Sequence, residues 1–375
     1  MFSARSGWDR TRNAFTERIE RARAEGRSLI DLTASNPTDV GLAMPWAPVA
    51  SALSDPRGGR YQPEPMGLAG AREAVAAHCG ARGASVDPSQ VVLTASTSEA
   101  YSFLFKLLAD PGDALWVPRP SYPLIDVLAE LEPLALRPYR LGYDGTWFID
   151  FDSFVGPRPR AALVISPHNP TGHTVDPAER EKLAALGVPL IVDEVFADYV
   201  PGHRTFAGFD GALTFTLSGL SKVAGLPQLK LGWMVVSGPR AARDEALARL
   251  ELIADAHLSA AAPVQLGLGA LLELARDRRA HIQARLDANR AALAAARPRH
   301  ATWDVLRSPG GWSAVIQVPR ARAQDAWCQA LLDAGVIVSP GYLFDIEAPH
   351  ALVVSLLPPP EAFAAGAARL AQVLG

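Results

Sequence analysis

Lysine is scarce in this chain: of 36 basic residues only Lys106, Lys182, Lys222 and Lys230 are lysines, the rest being arginine. Two of them share the glycine-rich segment Thr216-Leu217-Ser218-Gly219-Leu220-Ser221-Lys222-Val223-Ala224-Gly225-Leu226-Pro227-Gln228-Leu229-Lys230. A lysine amine condenses with an aldehyde to an imine, and the delocalised guanidinium of arginine cannot replace it. Small and hydroxyl residues around Lys222 allow a ligand to approach closely. Upstream, Ile191-Val192-Asp193-Glu194 closes an apolar run with two carboxylates, either of which suits a protonated ring nitrogen. Ser166-Pro167-His168-Asn169-Pro170-Thr171-Gly172 is a turn whose Asn169 can donate to a phenolate-like oxygen. Ala95-Ser96-Thr97-Ser98-Glu99 offers hydroxyls and backbone N–H groups to a phosphate at a helix start. Alone, each is an ordinary cap, turn or loop lysine; all four fall at successive strand ends.

Positioning them requires an α/β framework. Apolar runs at Val91–Thr94, Ala114–Val117, Ala161–Ile165, Leu190–Val192, Leu213–Leu217 and Leu231–Val236 predict strands of a sheet buried on both faces, alternating with helices. At Asp176-Pro177-Ala178-Glu179, an N-cap, a first-turn proline and a glutamate at the third helical position spell a capping box. Ligands of such sheets sit at the carboxyl ends of the strands, where Asp193, Asn169 and Lys222 fall. From Pro263 the spacing of Val264, Leu268, Leu271, Ile282, Leu286 and Leu293 predicts one long interdomain helix. Beyond it, strands at Gly311–Val318, Val336–Val338 and Leu352–Leu356 interleave with helices near Ala323–Ala334 and Glu361–Leu374, a smaller α+β unit. Trp8, Phe15 and Ile19 are expected on one face of an N-terminal helix, beside that unit or across a dimer interface. Leu357-Pro358-Pro359-Pro360 reads as a turn into the last helix.

Composition narrows the function class. With 375 residues, two domains sharing an interface are expected. A net charge of −3 gives no basis for binding a nucleic acid backbone. No apolar run reaches membrane-spanning length, and Met1–Gly26 carries arginines and acids without the apolar stretch of a secretory signal. Cys79 and Cys328 lie too far apart in sequence to suggest a disulfide framework and cannot make a metal quartet alone, so no metal is expected and a reducing cytoplasm fits best.

Asn169-Pro170-Thr171-Gly172, Asp193-Glu194 and Ser221-Lys222 with Gly225-Leu226-Pro227 together resemble the fold-type-I aminotransferases of class I/II, the aspartate aminotransferase superfamily, from about Ile30 to Leu374. The resemblance implies a large domain binding pyridoxal 5'-phosphate, residues 46–270, with a mostly parallel sheet flanked by helices. It also implies a smaller α+β domain assembled from residues 1–45 and 271–375. It implies Lys222 as Schiff-base lysine and proton shuttle, and Asp193 as the acid that keeps the pyridine nitrogen protonated. Asn169 falls at the donor to the ring hydroxyl oxygen, Ser96, Thr97 and Ser98 at the phosphate loop, and Tyr122 at the ring that stacks on the cofactor. Ser218 or Ser221 adds a hydroxyl to the phosphate, and the spacing does not choose between them. Tyr61 corresponds to a tyrosine reaching the phosphate of the neighbouring subunit, which makes a homodimer with shared sites the active unit. The partners implied are a small amine, amino acids included, and a 2-oxo acid.

Three positions depart from the family. Phe196 stands where a tyrosine donates to the ring hydroxyl, and Lys230 where an arginine grips the phosphate bidentately. Val353 stands where an arginine binds the substrate α-carboxylate. Either another arginine, with Arg307 as the candidate, supplies that anchor, or the substrate has no carboxylate there. A β-lyase or decarboxylase of the same fold is the alternative reaction, and a cofactor-binding protein without turnover is a third reading.

Overall fold

The computed structural model describes residues 2–9, 11, 13–346 and 350–375. Fourteen strands are present among them: β1 Ile30–Asp31, β2 Val91–Thr94, β3 Ala114–Arg119, β4 Ala135–Tyr143, β5 Trp147–Ile149, β6 Ala161–Ile165, β7 Leu190–Asp193, β8 Thr214–Gly219, β9 Gly232–Ser237, β10 Asp304–Val305, β11 Ser313–Gln317, β12 Val336–Ile337, β13 Ser339–Pro340 and β14 Ala351–Ser355. Eight form one sheet in the order β2-β9-β8-β7-β6-β3-β4-β5. β9 and β5 run against their neighbours, and the β8–β7–β6–β3–β4 body is parallel.

Near-continuous apolar runs make this sheet because both faces are covered. In β6, Ala161, Leu163 and Ile165 join the cluster under the helices Thr97–Leu108 and Arg240–Asp255, while Ala162 and Val164 point to the other face, toward Leu183 and Leu190. The β4–β5 hairpin lies outside the strands expected from sequence. β4 carries Arg137, Pro138 and Arg140 in place of an apolar run; this half of the strand pairs with β3, and β5 joins β4 only at Leu141–Tyr143, so beside Arg137 and Pro138 one side of the ladder is open.

A second cluster unites Phe15, Ala22, Leu32, Val40 and Leu42 with residues from Ile282 to Leu374. There β10, β11, β14 and β13 form a four-stranded antiparallel sheet, and β1 pairs in parallel with β12. The helix Leu268–Ala296 joins the two units. Leu268, Leu271, Leu272 and Ala275 pack beneath the large sheet, and Ile282, Leu286 and Leu293 in the second cluster. A boundary at 270/271 therefore falls inside a continuous helix.

Two expectations need correction. The helical run from Pro263 is broken at Gly267, so Ala262–Leu266 is a separate short helix; Gly267 itself lies against the Ala52 carbonyl oxygen, which a Cβ would meet at 2.4 Å. Trp8 lies outside the N-terminal helix, which starts at Ala14 because the Asn13 side chain caps it by accepting from Phe15 N–H. Its indole donates to Glu130, while Phe15 is buried and Ile19 packs against the second cluster. The capping box at Asp176 and Glu179 is formed, and Pro360 opens the last helix. Buried Asn289 on the long helix donates to the Leu356 and Pro358 carbonyls, both at 2.8 Å, and fixes the proline turn.

Candidate active site

The carboxyl ends of β6, β7 and β8 open into a cavity of about 410 Å³ that the second unit closes from the far side. Lys222 reaches it from the short helix Leu220–Val223 directly after β8. Its Nζ stands 5.0 Å from the Trp312 ring centre and 5.7 Å from that of Phe196. Burial lowers the Lys222 pKa, and the Asp193 carboxylate works against that shift. Tyr199 holds the backbone beneath it, donating its hydroxyl to the Lys222 carbonyl at 2.6 Å.

Asp193 ends β7 on the cavity floor. Its Oδ2 accepts from the Tyr101 hydroxyl at 2.8 Å and its Oδ1 from Val195 N–H at 3.0 Å. Burial raises its pKa, while those two donors and the Lys222 charge oppose the rise. A buried carboxylate with two donors and a cation in the same cavity is placed to hold a further positive group. Its neighbour Glu194 turns away from the cavity, accepting from Thr205 Oγ at 2.5 Å and Phe206 N–H at 2.6 Å. That fixes the strand end from behind.

Asn169 follows β6 on a turn closed by Gly172 N–H donating to the His168 carbonyl at 2.6 Å. Gly172 has φ +70°, and a Cβ there would lie 2.3 Å from the Gly310 carbonyl oxygen, so the last residue of Asn-Pro-Thr-Gly must be glycine. Ser313 Oγ donates to Asn169 Oδ1 at 3.4 Å, leaving the amide N–H group to the cavity. Ser96 caps the helix Thr97–Leu108 by accepting from Glu99 N–H at 3.2 Å, and Ser96, Thr97 and Ser98 all line the cavity. β9 presses against this turn: a Cβ on Gly232 would meet the Ser96 carbonyl carbon at 2.8 Å and Thr97 N at 3.0 Å. Lys230, with φ 49° and ψ 57°, lines the cavity just before it.

Tyr122, Phe196 and Ser221 also line the cavity; Ser218 does not, and its buried Oγ has no partner. Tyr61 is elsewhere. It is 81% exposed, on the rim of a separate cavity between the Gly58–Gly67 segment and residues from Ala254 to Gln265. Arg307 is exposed outside the site, where its N–H donates to Tyr143 Oη at 3.1 Å. Val353 lines the cavity, and no arginine does among the described residues.

Tyr101 and Trp312 escaped the sequence reading. A signal existed for each: Tyr101 lies one helical turn after Thr97 and so shares its face, and Trp312 follows the Gly310-Gly311 pair that opens a strand.

A family model described as aminotransferase class I and II matches residues 27–362. The chain belongs to that family. Among its relatives, the glutamate-pyruvate aminotransferase AlaA of Escherichia coli is 27% identical over 267 residues, 68% of this chain and 66% of that protein. The chain thus spans just under two thirds of that aminotransferase's length. Nicotianamine aminotransferase 1 of Oryza sativa is 31% identical over 206 residues, 51% of this chain and 41% of that one. In three dimensions, the alanine aminotransferase of Pyrococcus furiosus superposes with a TM-score of 0.88 at 22% identity, covering 100% of this chain and 99% of the other. At that identity the likeness establishes the aminotransferase fold.

Proposed function

We propose that the protein is a pyridoxal-phosphate-dependent aminotransferase moving an amino group between a small primary amine and a carbonyl acceptor such as a 2-oxo acid. The observation that carries this reading is the convergence of Lys222, Asp193, Asn169 and the Ser96–Ser98 turn on one cavity. Family members generally depend on pyridoxal phosphate, and the residues fit that group. The Tyr101-supported Asp193 suits a ring nitrogen, the Asn169 amide a ring oxygen, and the capped helix start with Lys230 a phosphate. Gly232 leaves the turn room that a side chain would fill. The cavity volume, about 410 Å³, lies within the roughly 300–1,000 Å³ of small-molecule sites.

When bound, the cofactor supplies an electron sink that makes the substrate carbon acidic. The chain supplies the rest. Among the described residues Lys222 and Lys230 are the lysines on the cavity wall, and burial shifts Lys222 toward its neutral amine, the form able to bond an aldehyde and to carry a proton. Asp193, whose carboxylate accepts from Tyr101 and Val195, is placed to hold a proton on the ring nitrogen. Ser221, which lines the cavity, is preferred over Ser218 as a phosphate donor. Residues 1–45 and 271–375 are read as the small domain, Tyr61 as a residue given to the neighbouring subunit of a homodimer, and the cytoplasm as the compartment. No helix among the described residues is long and apolar enough to cross a membrane.

Borohydride reduction of the cofactor-loaded protein, followed by peptide mass spectrometry, is expected to place the adduct on Lys222 and to give none in Lys222→Arg. Incubation with a panel of amines should yield a carbonyl product and the amine form of the cofactor in equal amounts. An adduct on another lysine, or release of carbon dioxide or an eliminated group in place of amino transfer, would sink the reading.

A further inference from the structure

The wall that the second unit presents to the cavity is electrically neutral. In the antiparallel pairing of β11 with β14, Ser313 lies opposite Ser355 and Val315 opposite Val353, and in that of β13 with β14, Ser339 lies opposite Val353. Residues directly opposite one another point to the same face, and Ser313, Ser339, Val353 and Ser355 all line the cavity. The cations lining it among the described residues are Lys222 and Lys230. Lys222 is committed to the reacting carbon and Lys230 adjoins the Ser96–Thr97 turn through Gly232. Arg307, the one candidate for a relocated anchor, is exposed outside the cavity. A carboxylate pressed onto Val353, itself 3% exposed, would lose its hydration and meet no cation on that wall among the described residues of this chain, which is strongly unfavourable.

We propose that this site selects a donor whose amine-bearing carbon carries no carboxylate: a primary amine with an apolar body resting on Val353, Trp312 and Phe196. The hydroxyls of Ser313, Ser339 and Ser355 accommodate a neutral polar substituent such as an alcohol or amide. This rests on the aminotransferase reading and narrows it. In the donor half-reaction the C–N bond at the donor carbon breaks and that carbon is oxidised by two electrons to an aldehyde. The nitrogen and the two electrons would pass to the aldehyde-level carbon of the cofactor; starting from its imine with Lys222, the lysine amine is freed and one water is consumed, its oxygen leaving in the carbonyl product. The acceptor meets the same wall, so it is an aldehyde or ketone in preference to a 2-oxo acid.

Two measurements on the cofactor-loaded protein test this. Calorimetric titration with unreactive ligands of matched shape, 3-phenylpropanamide against 3-phenylpropanoate, reads the wall directly, and the amide should bind at least ~10-fold more tightly. Val353→Arg should reverse the order by offering the acid two parallel charged hydrogen bonds; the wild-type comparison stands by itself if that variant does not fold. Equal affinities, or a preference for the acid, overturn the proposal. Single-turnover spectra with 2-phenylethylamine and phenylalanine give the reactive counterpart: faster conversion of the amine supports it, and faster conversion of the amino acid overturns it. If no amine of the panel is converted by a protein that still prefers the amide, the aminotransferase reading fails while the neutral wall stands.

Discussion

His168 shows how a residue beside the chemistry serves by staying uncharged. It precedes Asn169, is buried, and pairs through Nδ1 with Thr171 Oγ1 at 2.9 Å. Burial drives its pKa down from 6.5 to about 3, with the nearby His173 acting in the same direction and the Pro120 carbonyl offsetting part. The folded-state pKa is depressed, so between these values the unfolded chain binds a proton that the folded chain refuses. The stability this provides is complete above pH 6.5 and is lost as pH falls toward about 3. A shift of this size corresponds to a few kcal/mol, at about 1.4 kcal/mol per pKa unit. Urea unfolding followed between those limits should therefore show a steeper loss of stability for the wild type than for His168→Asn. Parallel profiles would mean that the ring titrates normally in the fold.

At the scale of elements, the site depends on how closely β9 approaches the helix start at Ser96. Gly232→Ala places a methyl 2.8 Å from the Ser96 carbonyl carbon, a backbone atom that cannot swing aside. We expect destabilisation of about 1–3 kcal/mol and cofactor affinity lowered at least ~10-fold as the phosphate turn is displaced. Gly70→Ala is the control. That glycine lies in the first turn of the helix Ala69–Ala81 with nothing within 4 Å of an added Cβ, so the substitution should be neutral or stabilising by up to about 1 kcal/mol. Thermal unfolding and a cofactor titration of the two variants distinguish local crowding from general sensitivity to the change. Equal effects would show that the contact at Gly232 is unimportant.

For the whole molecule, the question is where Tyr61 acts. On one chain it is 81% exposed and lines a cavity other than the one holding Lys222. An exposed aromatic beside Arg60 and Gln62 is well suited to an interface with a second copy. Neither Tyr61→Phe nor Lys222→Ala homodimers should turn over at the wild-type rate, whereas mixed dimers carrying one of each variant assemble one intact site. Activity recovered on mixing, with dimerisation followed by light scattering, supports a shared site. No recovery by mixed dimers that still bind cofactor refutes it.

The chain by itself determined whatever depends on local spacing. The apolar runs of β2 and β6, the capping box at Asp176 and Glu179, and the strand-end motifs at Asn169, Asp193 and Lys222 were legible because period and turn chemistry are written in neighbouring residues. Tertiary structure decided what depends on distant approach. The Ala52 carbonyl that leaves no room for a side chain at Gly267 lies 215 positions earlier, and the supporting hydroxyl on Asp193 comes from Tyr101, 92 positions away. The strand β4 exists because β3 and β5 offer it backbone partners that its own arginines and proline do not announce. The sequence likewise left Arg307 and Val353 as open alternatives, since arginine side chains are long and a linear chain does not say which of them a cavity admits. Packing the strands β11, β13 and β14 against the cavity puts serine and valine on the wall there and leaves Arg307 exposed outside it.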